Sequence, residues 1–148
     1  MSVEFKDQFY LVVDSQVFID QFNSNLPSSF SSCFNSNKLK SGKWRVAIIY
    51  ILLRTNTSSI KYKRAKGLPL FITSNIVKHT QIYDKSKQLL GSILLSKNAG
   101  NRINIPAYYD VVHSPSSTIH FQILNSELNP VDFLRHPTKF QLHFIRVQ

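Results

Sequence analysis

The residues of this chain best suited to chemistry are its five histidines, because an imidazole can bind a metal ion or exchange a proton near neutral pH. No two of them are separated by two or four positions, and no carboxylate accompanies them in the pattern of a zinc enzyme. We therefore expect no metal and no cofactor. We interpret the histidines as surface or interface residues, although two of them would approach if their strands paired, His120 and His143. The five are His79, His113, His120, His136 and His143.

Nucleophilic and acid–base motifs are also missing from the sequence. Cys33 is the single cysteine and lies among serines without an acid nearby, which indicates an ordinary surface or half-buried thiol. The chain has four glycines and contains neither a phosphate-binding glycine motif nor G-x-S-x-G. No pair of acids with the pattern of a glycosidase is recognisable. We expect a protein that is not an enzyme.

Positive charge is concentrated in one part of the chain, whose net charge is +10. No acid occurs between Gln21 and Tyr83, whereas ten lysines and arginines do. An uncompensated basic segment attracts a polyanion by neutralising phosphates, or it binds an acidic protein. Packaged DNA is the first candidate, and a solvated basic loop is the alternative. The expected polyanion-binding residues are Lys61, Lys63, Arg64 and Lys66.

Length and composition predict one β domain that spans residues 1–148. Aromatic residues make up 12% of the chain and β-branched residues are frequent, which favours strands. The first residues have no apolar core of a signal peptide, and no apolar run approaches the ~20 residues of a membrane span. We expect synthesis inside the cell without secretion through a signal peptide, and no membrane span.

Alternating apolar residues mark the clearest strands, at 118–123 and 140–144. A continuous apolar run at 43–53 predicts a central strand, and 61–67 reads as a basic hairpin tip or loop. Seven or eight strands with some long connections predict a jelly-roll-type β-sandwich of two antiparallel sheets. An immunoglobulin-like sandwich is the competitor, but its Cys–Trp–Cys spacing is absent. The side chains expected to point inward are Ile119, Phe121, Ile123, Phe140, Leu142 and Phe144.

The segment 14–42 combines a polar composition with four phenylalanines. Seven serines lie between Ser24 and Ser41, so the segment reads as a long ordered loop. Aromatic side chains in such a loop would bury against neighbouring subunits. Trp44, which follows the loop, is interpreted as a core anchor. The candidate subunit-interface residues are Phe18, Phe22, Phe30 and Phe34.

A succession of short motifs resembles a known family. The motifs are FYLVVDS at 9–15, LKSGKWRVAIIYI at 39–51, STIHFQI at 117–123, NPVDF at 129–133 and FQLHF at 140–144. In this order they are similar to penton-like minor capsid proteins of Maverick/Polinton elements and adintovirus-like DNA viruses. Lys43 and Arg45 depart from the acidic residues frequent there, and the resemblance does not extend over 54–87.

This resemblance implies a structural role in a virion. Its members are single jelly rolls that form pentamers at the vertices of an icosahedral capsid, beside a larger double-jelly-roll major capsid protein. The expected partners are therefore copies of the chain itself and the major capsid protein.

Two other classes of protein remain open. One is a basic nucleic-acid-binding β domain, because Tyr62 lies among the four cations and bases stack on aromatic rings, although no RNP or OB signature is present. The other is a small hydrolase or lectin-like jelly roll, for which a carboxylate or histidine cluster is missing.

Overall fold

The structure is a computed structural model, and it describes residues 7–17, 19–39, 41–56, 58–65, 67–94, 100–103 and 106–147. Strands dominate this part of the chain. They are β1 (Gln8–Asp14), β2 (Ser29–Cys33), β3 (Lys43–Thr55), β4 (Pro69–Ser74), β5 (Thr80–Ile82), β6 (Lys85–Lys87), β7 (Leu89–Leu94), β8 (Gly100–Arg102), β9 (Tyr109–Asp110), β10 (Thr118–Leu124) and β11 (Leu134–Val147). A 3-10 helix covers Ser36–Lys38, and an α-helix, α1, covers Ile60–Ala65.

Nine of these strands form two antiparallel sheets with a jelly-roll topology, and β5 and β6 pair as a separate hairpin. The first sheet has the order β1-β11-β3-β8, with β9 also paired to β3, and the second has the order β2-β10-β4-β7. Successive pairs are nested along the chain: β1 pairs with β11, β2 with β10, β3 with β8 and β9, and β4 with β7. Such nesting places two Greek keys across two sheets, which is the jelly roll. The predicted fold is confirmed.

The core lies between the two sheets, and alternation along the strands builds it. The inward side chains of β10 and β11 meet there, because alternate residues of a strand point to the same face. Trp44, at 5% exposure, belongs to the same cluster and packs against Phe9 with ring centroids 5.6 Å apart. All six side chains predicted to point inward are at most 1% exposed.

The structure differs from the sequence prediction in the two polar segments. The segment 14–42 is not a continuous loop, because it contains β2 and the 3-10 helix. Residues 61–67 are not a hairpin tip, because α1 occupies most of them. The strand and the helices in these two segments are short, so the sequence shows no repeating hydrophobic pattern there. Within the described ranges no helix is long and apolar enough to cross a membrane.

Candidate functional site

The two histidines proposed to approach each other lie in different sheets. His120 is on β10 in the second sheet, and His143 is on β11 in the first. Since β10 and β11 do not pair, the condition under which these two histidines would approach each other is not met. Among the described residues there is no group of three or more His, Cys, Asp or Glu that could hold a metal ion.

Each of these histidines has its own polar environment on an outer sheet face. His120 lies across from Ser31 of β2, and its Nδ1 is 3.0 Å from the Ser31 hydroxyl oxygen. His143 stacks on Tyr10 with centroids 4.5 Å apart, and its Nδ1 is 2.8 Å from the Tyr108 hydroxyl oxygen. Burial lowers the pKa of both imidazoles, because it disfavours the charged form. The hydrogen-bond partners of both rings are hydroxyl and amide oxygens.

The lowered pKa values predict a pH dependence of stability. The unfolded chain, with histidines near their usual pKa of about 6.5, binds these protons more readily than the folded protein. The stability that this difference contributes is present above about pH 6.5 and is lost as the pH falls below it. Urea unfolding should therefore require less denaturant at pH 5.5 than at pH 7.5. His120→Gln and His143→Gln should each reduce the difference between the two pH values, and an unchanged difference in both variants would contradict the assignment.

The phenylalanines proposed for a subunit interface are largely committed to the chain's own core. Phe30 is 0% exposed and Phe34 is 6% exposed, so neither is available to a neighbouring subunit. The reason is β2, which pairs with β10 and turns Phe30 inward opposite Phe121. Phe22 is half-buried, and Phe18 lies outside the described residues. The proposed interface role is therefore wrong for Phe30 and Phe34.

Other apolar side chains are exposed instead, and most of them gather at one end of the sandwich. We call this the loop end; it is formed by the connections at 15–28, 56–68 and 125–133 and by the last residue of β7, Leu94, which pairs with Pro69. These connections lie together because the Ile123 N–H donates to the Ser28 carbonyl and the Asn56 N–H donates to the Phe133 carbonyl. Exposed large apolar residues at the loop end, each at least 40% exposed, are Val17, Ile19, Leu26, Ile60, Leu68 and Leu94.

Hydrogen bonds hold the 15–28 connection against the sandwich. The buried Ser15 hydroxyl oxygen accepts from the Thr138 N–H at 2.9 Å, and the Thr138 hydroxyl donates to the Pro27 carbonyl at 2.7 Å. The Asn25 side chain accepts from the Ser31 N–H and donates to its carbonyl. The apolar side chains are therefore presented by a backbone that is tied at both ends.

The predicted polyanion-binding residues do not form an uncompensated cluster. Lys61 makes a salt bridge with Asp132, and Tyr62 is buried edge-on against Phe133, out of reach of a base. Lys63 and Arg64 are exposed on α1, whereas Lys66 lies outside the described residues. A cavity of about 350 Å³ beside α1 carries both signs of charge; its charged lining residues are Lys61, Arg64, Glu127 and Asp132.

Comparison with known proteins identifies no family. No family model and no curated protein matches the chain. Among solved structures, the Drosophila NLP core, studied for pentamer formation and histone binding, is 10% identical over 96% of this chain and 100% of its own, with a TM-score of 0.39. Structures of infectious bursal disease virus, strains Gt and Gx, give identities of 11% and 8% and TM-scores of 0.25 and 0.22. These two matches cover 93% and 95% of this chain and 31% and 32% of the viral chains. None of these likenesses reaches a TM-score of 0.5, so the jelly-roll assignment depends on the strand order alone.

Proposed function

We propose that the protein is a structural capsid component, a penton-like jelly roll that self-associates and contacts a larger major capsid protein in a virion. The observation that carries this proposal is the exposed apolar surface at the loop end. Several large apolar side chains exposed at the same end of a domain favour a site of association there. The pentameric number and the major capsid protein as partner come from the resemblance of the strand motifs to penton-like proteins.

The architecture is suited to such a role. The strands of a jelly roll are hydrogen-bonded within two packed sheets, which makes the sandwich a firm scaffold. The loops at its ends are the parts that can vary to suit different partners. Val17, Ile19 and Leu26 project from the 15–28 connection, which is tied to the sandwich by Ser15 and Thr138. Little ordering of this connection is needed on association, and that lowers the entropic cost of binding.

Light scattering coupled to size-exclusion chromatography tests self-association directly. We expect a particle with the mass of five chains of 17.1 kDa each, at micromolar concentration and physiological salt. A stable pentamer of this kind should bury more than about 1,000 Å² at each contact between subunits. A monomer at every concentration would contradict the proposal.

A second candidate function is that of a basic nucleic-acid-binding β domain. The exposed cations Lys63 and Arg64 on α1 favour it, together with the net charge of +10. The salt bridge of Lys61 and the burial of Tyr62 weaken the version centred on α1. Binding by this helix would be independent of sequence and would weaken steeply with salt.

A further inference from the structure

Lysines without an acidic partner gather at the end of the sandwich opposite the loop end. We call this the lysine end; it is formed by the connections at 34–42, 75–88 and 111–117. The two acids nearest to it on the first sheet are already used, because Asp110 pairs with Arg45 at 3.0 Å and Asp7 pairs with Arg146 at 3.2 Å. Two lysines at this end form no salt bridge with a described residue, Lys43 at the start of β3 and Lys78.

Both lysines line one cavity of about 360 Å³. Lys43 begins β3, and Lys78 lies on the connection that faces it, so the two exposed side chains approach the cavity from different segments. Backbone hydrogen bonds fix both walls: the Lys78 N–H donates to the Asp110 carbonyl, and the Val111 N–H donates to the Trp44 carbonyl, both at 2.9 Å. The cavity is therefore built by the fold and not by a chance meeting of side chains.

The remaining lining is compatible with an anion. Exposed His113 contributes a hydrogen-bonding imidazole, and the Asp110 carboxylate that also lines the cavity is engaged by Arg45. Gly42 forms part of the wall at φ +120°, and a Cβ there would lie 2.8 Å from Nε of Arg146. Glycine at this position thus leaves room for the Arg146 side chain behind the wall, where it pairs with Asp7.

We propose that this cavity binds a backbone phosphate of nucleic acid. Lysine ammonium groups act on phosphate as point charges, and two of them from separate segments suit one phosphate group. The net charge of +10 attracts a polyanion with repeated phosphates, which favours nucleic acid over a single free phosphate.

The proposal shares its ligand class with the second candidate function but uses other residues.

Matched double variants test the proposal against binding by α1. The probe is a fluorescein-labelled single-stranded DNA oligonucleotide of mixed sequence, titrated with the full-length protein at 50 and at 200 mM salt. Lys43→Gln/Lys78→Gln removes two charges from the cavity, and Lys63→Gln/Arg64→Gln removes two charges from α1. Equal urea midpoints for the two variants and the parent protein show that the fold is kept.

We expect the cavity variant to lose affinity at low salt and to respond less to salt, while the α1 variant behaves like the parent protein. Each phosphate neutralised on a single strand contributes about 0.7 to the slope of log affinity against log salt, and the two lysines act on one phosphate, so their loss lowers the slope by about 0.7. The affinity lost between 50 and 200 mM salt should then be about 2.6-fold smaller. No binding by the parent protein at 50 mM salt, or an unchanged slope in the cavity variant, would overturn the proposal. An equal loss in both variants would show general attraction to a basic protein and would overturn it too. Self-association is measured separately by light scattering, so its failure and the failure of this proposal are distinguishable.

Discussion

Replacing Phe30 by alanine is expected to lower the free energy of unfolding by about 3–5 kcal/mol, the usual cost of removing a buried aromatic ring. Phe30 is 0% exposed, and its ring packs on Phe121 and Phe140 with centroids 5.3 and 5.8 Å apart. Phe140 belongs to the opposite sheet, so the cavity left by the ring would open between the sheets. Against a total stability of about 5–15 kcal/mol, a change of this size removes much of the margin.

Urea unfolding followed by circular dichroism measures this change. Val12→Ala is the surface control, because Val12 is 64% exposed on β1, outside the loop end, and should change stability by less than about 0.5 kcal/mol. If Phe30→Ala instead left the unfolding midpoint unchanged and altered only the mass of the particle, Phe30 would be an interface residue after all.

Replacing Val17, Ile19 and Leu26 by serine together is expected to dissociate the proposed assembly while leaving the fold intact. The three side chains are 47%, 40% and 57% exposed in the isolated chain, so they add little to its core. Buried between subunits, apolar area contributes about 25 cal/mol per Å², and three serines would remove most of that gain at each contact. Each subunit of a ring contacts two neighbours, so the substitutions weaken every contact in the assembly and the effect is large.

Light scattering of the triple variant should give the mass of a single chain at concentrations where the parent protein is assembled. A matched control replaces three exposed side chains outside the loop end by serine: Tyr10, Val12 and Tyr83. This control should keep the mass of the parent protein. Dissociation of the control but not of the loop-end variant would place the interface on the outer sheet faces.

Sequence alone was sufficient for the parts of the fold that local pattern encodes. The period-2 alternation in β10 and β11 predicted their inward side chains, because a strand with one buried face alternates apolar and polar residues along the sequence. It missed β2, whose inward residues are Phe30 and Ser32, since a serine that points inward leaves no hydrophobic pattern. The strand exists because β10 offers it a partner about 90 positions away, and that pairing is not a local property.

The interaction surfaces were harder to predict for a related reason. Counting charges along the chain treated Lys61 as uncompensated, but its partner Asp132 lies 71 positions away. Arg45 likewise pairs with Asp110 across 65 positions. The lysine end could not be predicted either, because Lys43 and Lys78 reach one cavity from separate connections. Aromatic residues drew the interface prediction to Phe30 and Phe34, whereas the exposed side chains were aliphatic.

The nesting of the strands also governs the order in which the protein can fold during synthesis. Asp7 and Arg146, at the far ends of the β1–β11 pair, are 139 positions apart. A ribosome adding about 5–20 residues per second needs about 7–30 s to cover that distance. Throughout that time β1 has no partner, and β3 lacks the strand that it pairs with along most of its length. Folding of the first sheet therefore completes only after translation of β11, and contacts of such high sequence separation place the domain among the slow folders.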